Sequence, residues 1–304
     1  MAANTYLDVL DETSGRATTA PWRTAIMRIV RTVREHEEAW VSRTMVRITE
    51  ASTTGPGYFQ GKSMVRVTYS GDVDGKPVTW TLLCTYESFD DNVRSMVMHL
   101  GTEVRIEGLP VGPLDAFPVR SIRAIFQARA VTVANMTLAW TDSHGFDERP
   151  APAVQSLIFE KCTTDTVTFE NIARLVDPAY LEFLIMDIVR PTTFAVSVDN
   201  STDALARFTA LTQFTLLIHV PAKCIMPKTA LAAILQHPSL RHLALGNIFH
   251  DKHEKMMSEM ARMLEYRRKP LEVLSFKDSL VPSHVAYRLL VPVLNSAHVK
   301  QIWT

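Results

Sequence analysis

The sequence predicts an α/β protein in which an N-terminal helix and a small antiparallel β meander precede an irregular β-α repeat array. Three observations lead there. A helix-period segment begins at Pro21, strand-period runs with turn signals fill residues 44–86, and a Leu-x-x-Leu-x-Leu frame recurs from Val154 onward. The 304 residues are 47% apolar, enough to bury a core of normal size, which excludes disorder across the whole chain.

Residues 1–20 are polar and Thr-rich and are expected to form a flexible lead-in. The next region, 21–88, divides in two. In its first part Trp22, Ile26, Ile29, Val30 and Val33 repeat at helical spacing behind a proline suited to a first turn. Arg23, Arg28, Arg31 and Arg34 then form the solvated side of that helix. In the second part Met45–Thr49, Met64–Tyr69 and Val78–Cys84 are β-rich and alternate. They are separated by Gly55-Pro56-Gly57 and by Ser70-Gly71-Asp72 with Asp74-Gly75-Lys76, the residues of hairpin turns.

Residues 89–304 alternate strand with helix. The frame reads Val154-x-x-Leu157-x-Phe159, Leu181-x-x-Leu184-x-Met186, Leu211-x-x-Phe214-x-Leu216, Leu240-x-x-Leu243-x-Leu245, Leu271-x-x-Leu274-x-Phe276 and Val299-x-x-Ile302. Its middle positions, 157, 184, 214, 243, 274 and 302, are 27 to 31 residues apart, an even period that marks stacked structural units. Helices are expected over Thr168–Val176, Asp203–Ala210, Pro227–Gln236, His250–Arg267 and Ser283–Leu294. Pro178, Pro238 and Pro270 stop three of them before the next strand. Weaker units are centred on Val104-Arg105-Ile106 and on Val133-x-x-Met136-x-Leu138, and Thr141–Pro152 reads as a long loop.

This pattern resembles a leucine-rich repeat, so the array is expected to be a leucine-rich-repeat-like β-α solenoid. It is irregular, because the position that normally holds Asn or Cys would fall at Cys162, Val189, His219, Ile248 and Ser279, and only Cys162 conforms. The stretch Leu157-Ile158-Phe159 with Thr168-Phe169-Glu170-Asn171-Ile172-Ala173-Arg174-Leu175-Val176-Asp177-Pro178-Ala179-Tyr180-Leu181-Glu182-Phe183-Leu184 is similar to the FTH-type, F-box-associated domain of nematode proteins. That resemblance implies a substrate-recognition subunit of a ubiquitin ligase, partnered by the ligase's linker subunit. No F-box is recognisable in residues 1–40.

Charge excludes several function classes. The 32 Lys+Arg balance 32 Asp+Glu, so neither a nucleic-acid footprint nor attachment to acidic lipid is expected. The early acids at Asp8, Asp11 and Glu12 do not suit a signal peptide, and no apolar run reaches the 18 residues of a membrane span. Cys84, Cys162 and Cys224 are too widely spaced for a disulfide framework or a zinc site and read as buried reduced thiols. An intracellular protein, cytoplasmic or nuclear, is expected, and the glycosylation triplets at Asn135 and Asn200 are then coincidental.

No catalytic motif emerges, and no cofactor or metal is expected. Gly55–Ser63 approaches a phosphate-binding loop, but its first glycine would fall at Pro56, which has no N–H, and a strand follows where a helix is needed. His250, His253 and Glu254, at i, i+3 and i+4, share a helix face, yet Met257 stands where a second zinc histidine would be required. Met256, Met260, Met263 and Leu264 form a core stripe.

The outward register of the repeat strands is the candidate site. If Leu157 and Phe159 point inward, then Ile158, Phe183, Ile185, Leu217, His242, Val273 and Trp303 lie on the opposite sheet face, because side chains alternate along a strand. An apolar face rimmed by charge suits a protein client, with Phe183 and Trp303 as aromatic anchors, unless the chain's own N-terminal region covers it. The expected function is non-enzymatic protein recognition. The alternatives are an enzyme with a scattered active site and a self-associating structural repeat.

Overall fold

The computed structural model describes residues 44–48, 63–73, 76–87, 89–90, 93, 103–108, 116–125, 128–140, 151–164, 166–189, 195–198, 202–219, 223–247, 253–276, 284–285, 287–288, 290–291 and 298–303. The expected lead-in 1–20, the expected helix from Pro21, the Gly55–Gly61 loop, most of the segment 141–152 and half of 283–294 lie outside them. The chain divides into two compact units, residues 1–115 with 124–128 and residues 116–123 with 129–304.

The first unit contains β1 (Thr44–Ile48), β2 (Met64–Val73), β3 (Lys76–Thr85) and β4 (Glu103–Gly108), in the order β1-β3-β2-β4. β2 and β3 form the expected hairpin, paired from Val73↔Lys76 to Met64↔Thr85. Val65, Val67 and Tyr69 are buried between exposed Arg66 and half-buried Thr68, the alternation of a strand with one covered face. Arg66 sits opposite Glu107 in the β2–β4 register, and their charged groups pair at 3.2 Å. Two features depart from the expected meander. β1 runs parallel to β3, which a hairpin cannot achieve; the chain between the two strands, 49–75, includes the whole of β2. β4, read from sequence as a weak repeat unit, pairs antiparallel with β2 and so belongs with the meander.

The second unit is mixed α/β and is built on a seven-stranded parallel sheet. Its elements are β5 (Phe117–Pro118), β6 (Ala130–Ala134), β7 (Leu138–Ala139), β8 (Ser156–Cys162), β9 (Thr166–Val167), α1 (Phe169–Leu175), β10 (Phe183–Ile188), β11 (Ala195–Val198) and α2 (Thr202–Ala206). There follow β12 (Gln213–Ile218), β13 (Lys223–Ile225), α3 (Lys228–Gln236), β14 (His242–Gly246), α4 (His253–Glu265), β15 (Leu271–Ser275) and β16 (Val299–Trp303). The large sheet runs β6-β8-β10-β12-β14-β15-β16, with every pairing parallel.

The recurring frame maps directly onto this register. Leu157, Leu184, Phe214, Leu243, Leu274 and Ile302 are successive Cα partners across six strands. All six are buried, so one apolar row runs through the core perpendicular to the strands. Each buried side chain of this kind contributes about 1.5–3 kcal/mol of transfer free energy. The weak unit expected around Met136 is framed differently, since Val131 in β6 is the partner of Leu157.

The helices follow local chemistry. α1 buries Phe169, Ile172, Ala173 and Leu175, carries Glu170 in its first turn and Arg174 in its last, and joins the two at 3.1 Å. It ends at extended Val176, ahead of Asp177-Pro178. Phe169 packs on Phe208 and Phe214 with ring centroids 6.4 and 5.6 Å away, which fastens the helix to the sheet. In α4, Met257, Met260 and Leu264 are buried while Met263 is half-buried, so the core stripe keeps Met260 and Leu264 of the expected set and takes in Met257.

Three short strands were not legible from periodicity. β9, β11 and β13 form a second parallel sheet, one strand from each of three successive connections between a long strand and its helix. At two to four residues each, they are too short to show alternation.

Candidate functional site

Along β8 the side chains alternate between half-buried Ser156, Ile158 and Glu160 and fully buried Leu157 and Phe159. The parallel register then places the outward residues in rows. One row is Ser156, Phe183, Gln213, His242, Val273 and Gln301. The next is Ile158, Ile185, Thr215, Ala244, Ser275 and Trp303, and Asp187, Leu217 and Gly246 begin a third.

These rows gather the sequence-selected residues into two apolar clusters rather than one patch. Ile158 and Ile185 are direct register partners, with Phe183 two residues along β10 and Leu217 diagonal to Ile185 on β12. Val273 and Trp303 are diagonal neighbours on β15 and β16. Between the clusters lie Gln213, Thr215, His242 and Ala244, which are polar or small. β10 and β15 are three strand spacings apart, so roughly 14 Å separates the clusters. Exposure peaks at the two aromatics, 36% for Phe183 and 55% for Trp303, whereas Ile158, Ile185, Leu217, His242 and Val273 are half-buried.

Polar groups flank this surface. His219 Nε2 lies 2.7 Å from Asp187 Oδ1, and His242 Nε2 lies 3.3 Å from Glu272 Oε2. The Asp187–His219 contact escaped sequence reading, although the repeat period puts Asp187 in β10 and His219 just past the end of neighbouring β12. An imidazole held by a carboxylate is one component of acid–base machinery. The nearby cysteine does not complete it. Burial, with lesser contributions from Asp187 and Glu160, pushes the Cys162 thiol up to about 12, and its Sγ lies 3.3 Å from the Val133 carbonyl oxygen. A thiol in that state is protonated at neutral pH and is a poor nucleophile. Among the described residues no group of three or more His, Cys, Asp or Glu side chains is placed to hold a metal ion.

The strand exits also differ from the sequence expectation. Cys162 pairs with Ile188, and Ile188 with Ile218, so the ladder position is occupied by Ile188 and Ile218 rather than Val189 and His219. The cause is an irregularity between Met186 and Ile188 opposite Lys161, which adopts a left-handed φ of 50°. β8 thus carries one residue more than β10 at this point. Asn135 and Asn247, both at φ 55°, follow β6 and β14 at equivalent positions.

Among the described residues no helix is long and apolar enough to cross a membrane. No family model, no curated protein and no solved structure matches the chain.

Proposed function

We propose that the repeat region is an irregular leucine-rich-repeat-like β-α solenoid acting as a non-enzymatic protein-recognition module. In this reading it resembles the substrate-binding part of an F-box-type ubiquitin-ligase adaptor. The observation that carries it is the pair of apolar clusters about 14 Å apart, each ending in an exposed aromatic ring, on rigid register-aligned strands. An extended client segment crossing the strands would place apolar side chains on both clusters from positions i and i+4, which span about 13 Å. The polar centre, with Gln213 and His242, would meet the client backbone between those anchors. Buried free thiols at Cys84 and Cys162 suit a reducing, intracellular compartment.

The test compares the wild-type chain with Phe183→Asp and Trp303→Asp in co-purification, using Tyr266→Asp as a surface control outside the face. The same client should be lost from both face variants and kept by the control. Retention by both face variants would remove the surface from consideration. Co-purification of the ligase linker subunit is a separate readout, and its absence removes the adaptor role alone.

A further inference from the structure

A cleft of about 470 Å³ opens at the N-terminal ends of β12, β14, β15 and β16, among the turns that lead into these strands. Its size falls within the usual range for small-molecule sites. Part of the backbone lining it is already paired within the fold. The Arg241 N–H donates to Thr212 O at 2.8 Å, and the Glu272 N–H donates to Arg241 O at 2.8 Å. The charge for recognition there comes from side chains.

Those side chains carry an imbalance of charge. Among the described residues lining the cleft, Arg241, Lys269 and Lys300 bring three cations against one carboxylate, Glu272. Glu272 is shared between two of them, 3.8 Å from Arg241 and 3.8 Å from Lys300, and it also faces His242. Lys269 makes no ion pair among the described residues. In a chain of zero net charge, the described lining of this concavity thus carries two more positive than negative charges. Arg241 and Lys300 are 65% and 61% exposed, so both can swing from Glu272 onto an arriving ligand.

We propose that this cleft binds a phosphate monoester, with Arg241, Lys269 and Lys300 as its ligands and Glu272 as an internal anion that the phosphate displaces. A monoester carries a charge of about −1.5 to −2 at pH 7, which matches the local excess, whereas a carboxylate would leave half of it unmet. Arg241 can meet two phosphate oxygens through its planar fork, and the two lysines act as point charges. Pro238 and Pro270 also line the cleft and offer apolar surface to the body of the ester. That body can be a free metabolite or a phosphorylated side chain.

The experiment is calorimetric titration of the full chain at matched ionic strength with N-acetyl-O-phosphoserine amide, with a phosphoserine peptide, and with the unphosphorylated peptide. Saturable 1:1 binding of both phosphorylated probes, and none of the third, is expected. A peptide affinity about tenfold above that of the blocked amino acid assigns the ligand to a protein, and equal affinities assign it to a small molecule. Lys269→Gln combined with Lys300→Gln should weaken binding at least tenfold, while Glu272→Gln should tighten it by removing the competing anion. Phe183→Asp should change nothing, which separates this site from the outward face. No binding, or binding indifferent to the double substitution and to Glu272→Gln, overturns the proposal.

Discussion

Arg267 and His237 occupy one buried site behind the turn that joins α3 to β14. The Arg267 guanidinium donates to the carbonyl oxygens of Leu235 and Leu240, at the end of α3 and just before β14. Burial lowers its basicity to about 10, which leaves it charged at neutral pH. His237 is the residue at which α3 ends, where a positive imidazole would ordinarily gain from the helix dipole. Here desolvation dominates, a hydrogen bond with the Leu205 backbone opposes it, and the Arg267 charge adds to it, so His237 is held below its ordinary value.

The sign of the resulting pH dependence follows from linkage. With the folded-state value below the unfolded one of about 6.5, the unfolded chain binds the proton more readily. The stability that neutral His237 allows is present above about pH 6.5 and is lost as pH falls through that value toward the folded one. Denaturant melts between pH 7.5 and 5 should show the midpoint falling, and His237→Gln should reduce that slope. An unchanged slope in the variant would mean that His237 is not the linked group.

Arg267 itself acts as a clamp on backbone that has few other partners. Arg267→Met keeps much of the apolar stem but leaves buried carbonyls at Leu235 and Leu240 without donors. The expected loss is about 2–4 kcal/mol, the cost of two such orphans. Arg267→Lys should recover only part of it, because an ammonium does not reproduce the planar fork. Urea unfolding of the three proteins distinguishes these outcomes, with equal stability of Lys and Arg arguing for charge alone.

Cys162 is expected to be chemically silent in the native state. Its thiol is buried, and its acidity is suppressed to about 12, so the reactive thiolate is scarce even at pH 8. N-ethylmaleimide at pH 8 should leave the Cys162 peptide unmodified until denaturant is added, as read by mass spectrometry. Rapid native labelling would show that the end of β8 opens locally.

Much of the second unit is legible in the sequence because its signal is a periodic one. The six positions from Leu157 to Ile302 recur at a nearly constant interval, and a parallel sheet with one strand per unit converts that interval directly into register. α1 and α3 could be bounded to within about a residue because prolines at 178, 227 and 238 punctuate them. What failed had no periodic signature. The two-residue strand β9 depends on pairing with β11, and the parallel alliance of β1 with β3 depends on contacts distant in sequence. The candidate face was readable as a list, since alternation alone selects Ile158, Phe183 and Trp303. Its division into two clusters was not, because that depends on which strand lies beside which. The cleft around Arg241 and Glu272 was invisible for the same reason, its charges coming from three stretches far apart in sequence: Arg241, Lys269 with Glu272, and Lys300.

The register also makes a sharp statement about which residues hold the fold and which are available for binding. Leu243 is 1% exposed at the centre of the apolar row, flanked by Phe214 and Leu274. Leu243→Ala removes packing on both sides and leaves a cavity that β14 cannot close without moving its neighbours. A loss of about 2–5 kcal/mol is expected. Phe169→Ala, which empties the helix–sheet contact to Phe208 and Phe214, should cost about 3–5 kcal/mol. Trp303→Ser lies on the opposite side of the same sheet, one residue from buried Ile302, and its ring is more than half exposed. It should change stability by no more than about 0.5 kcal/mol. Chemical denaturation of the three variants reads these values directly. A destabilisation by Trp303→Ser comparable to that of Leu243→Ala would mean that the outward face is packed against other parts of the chain and is closed to a client.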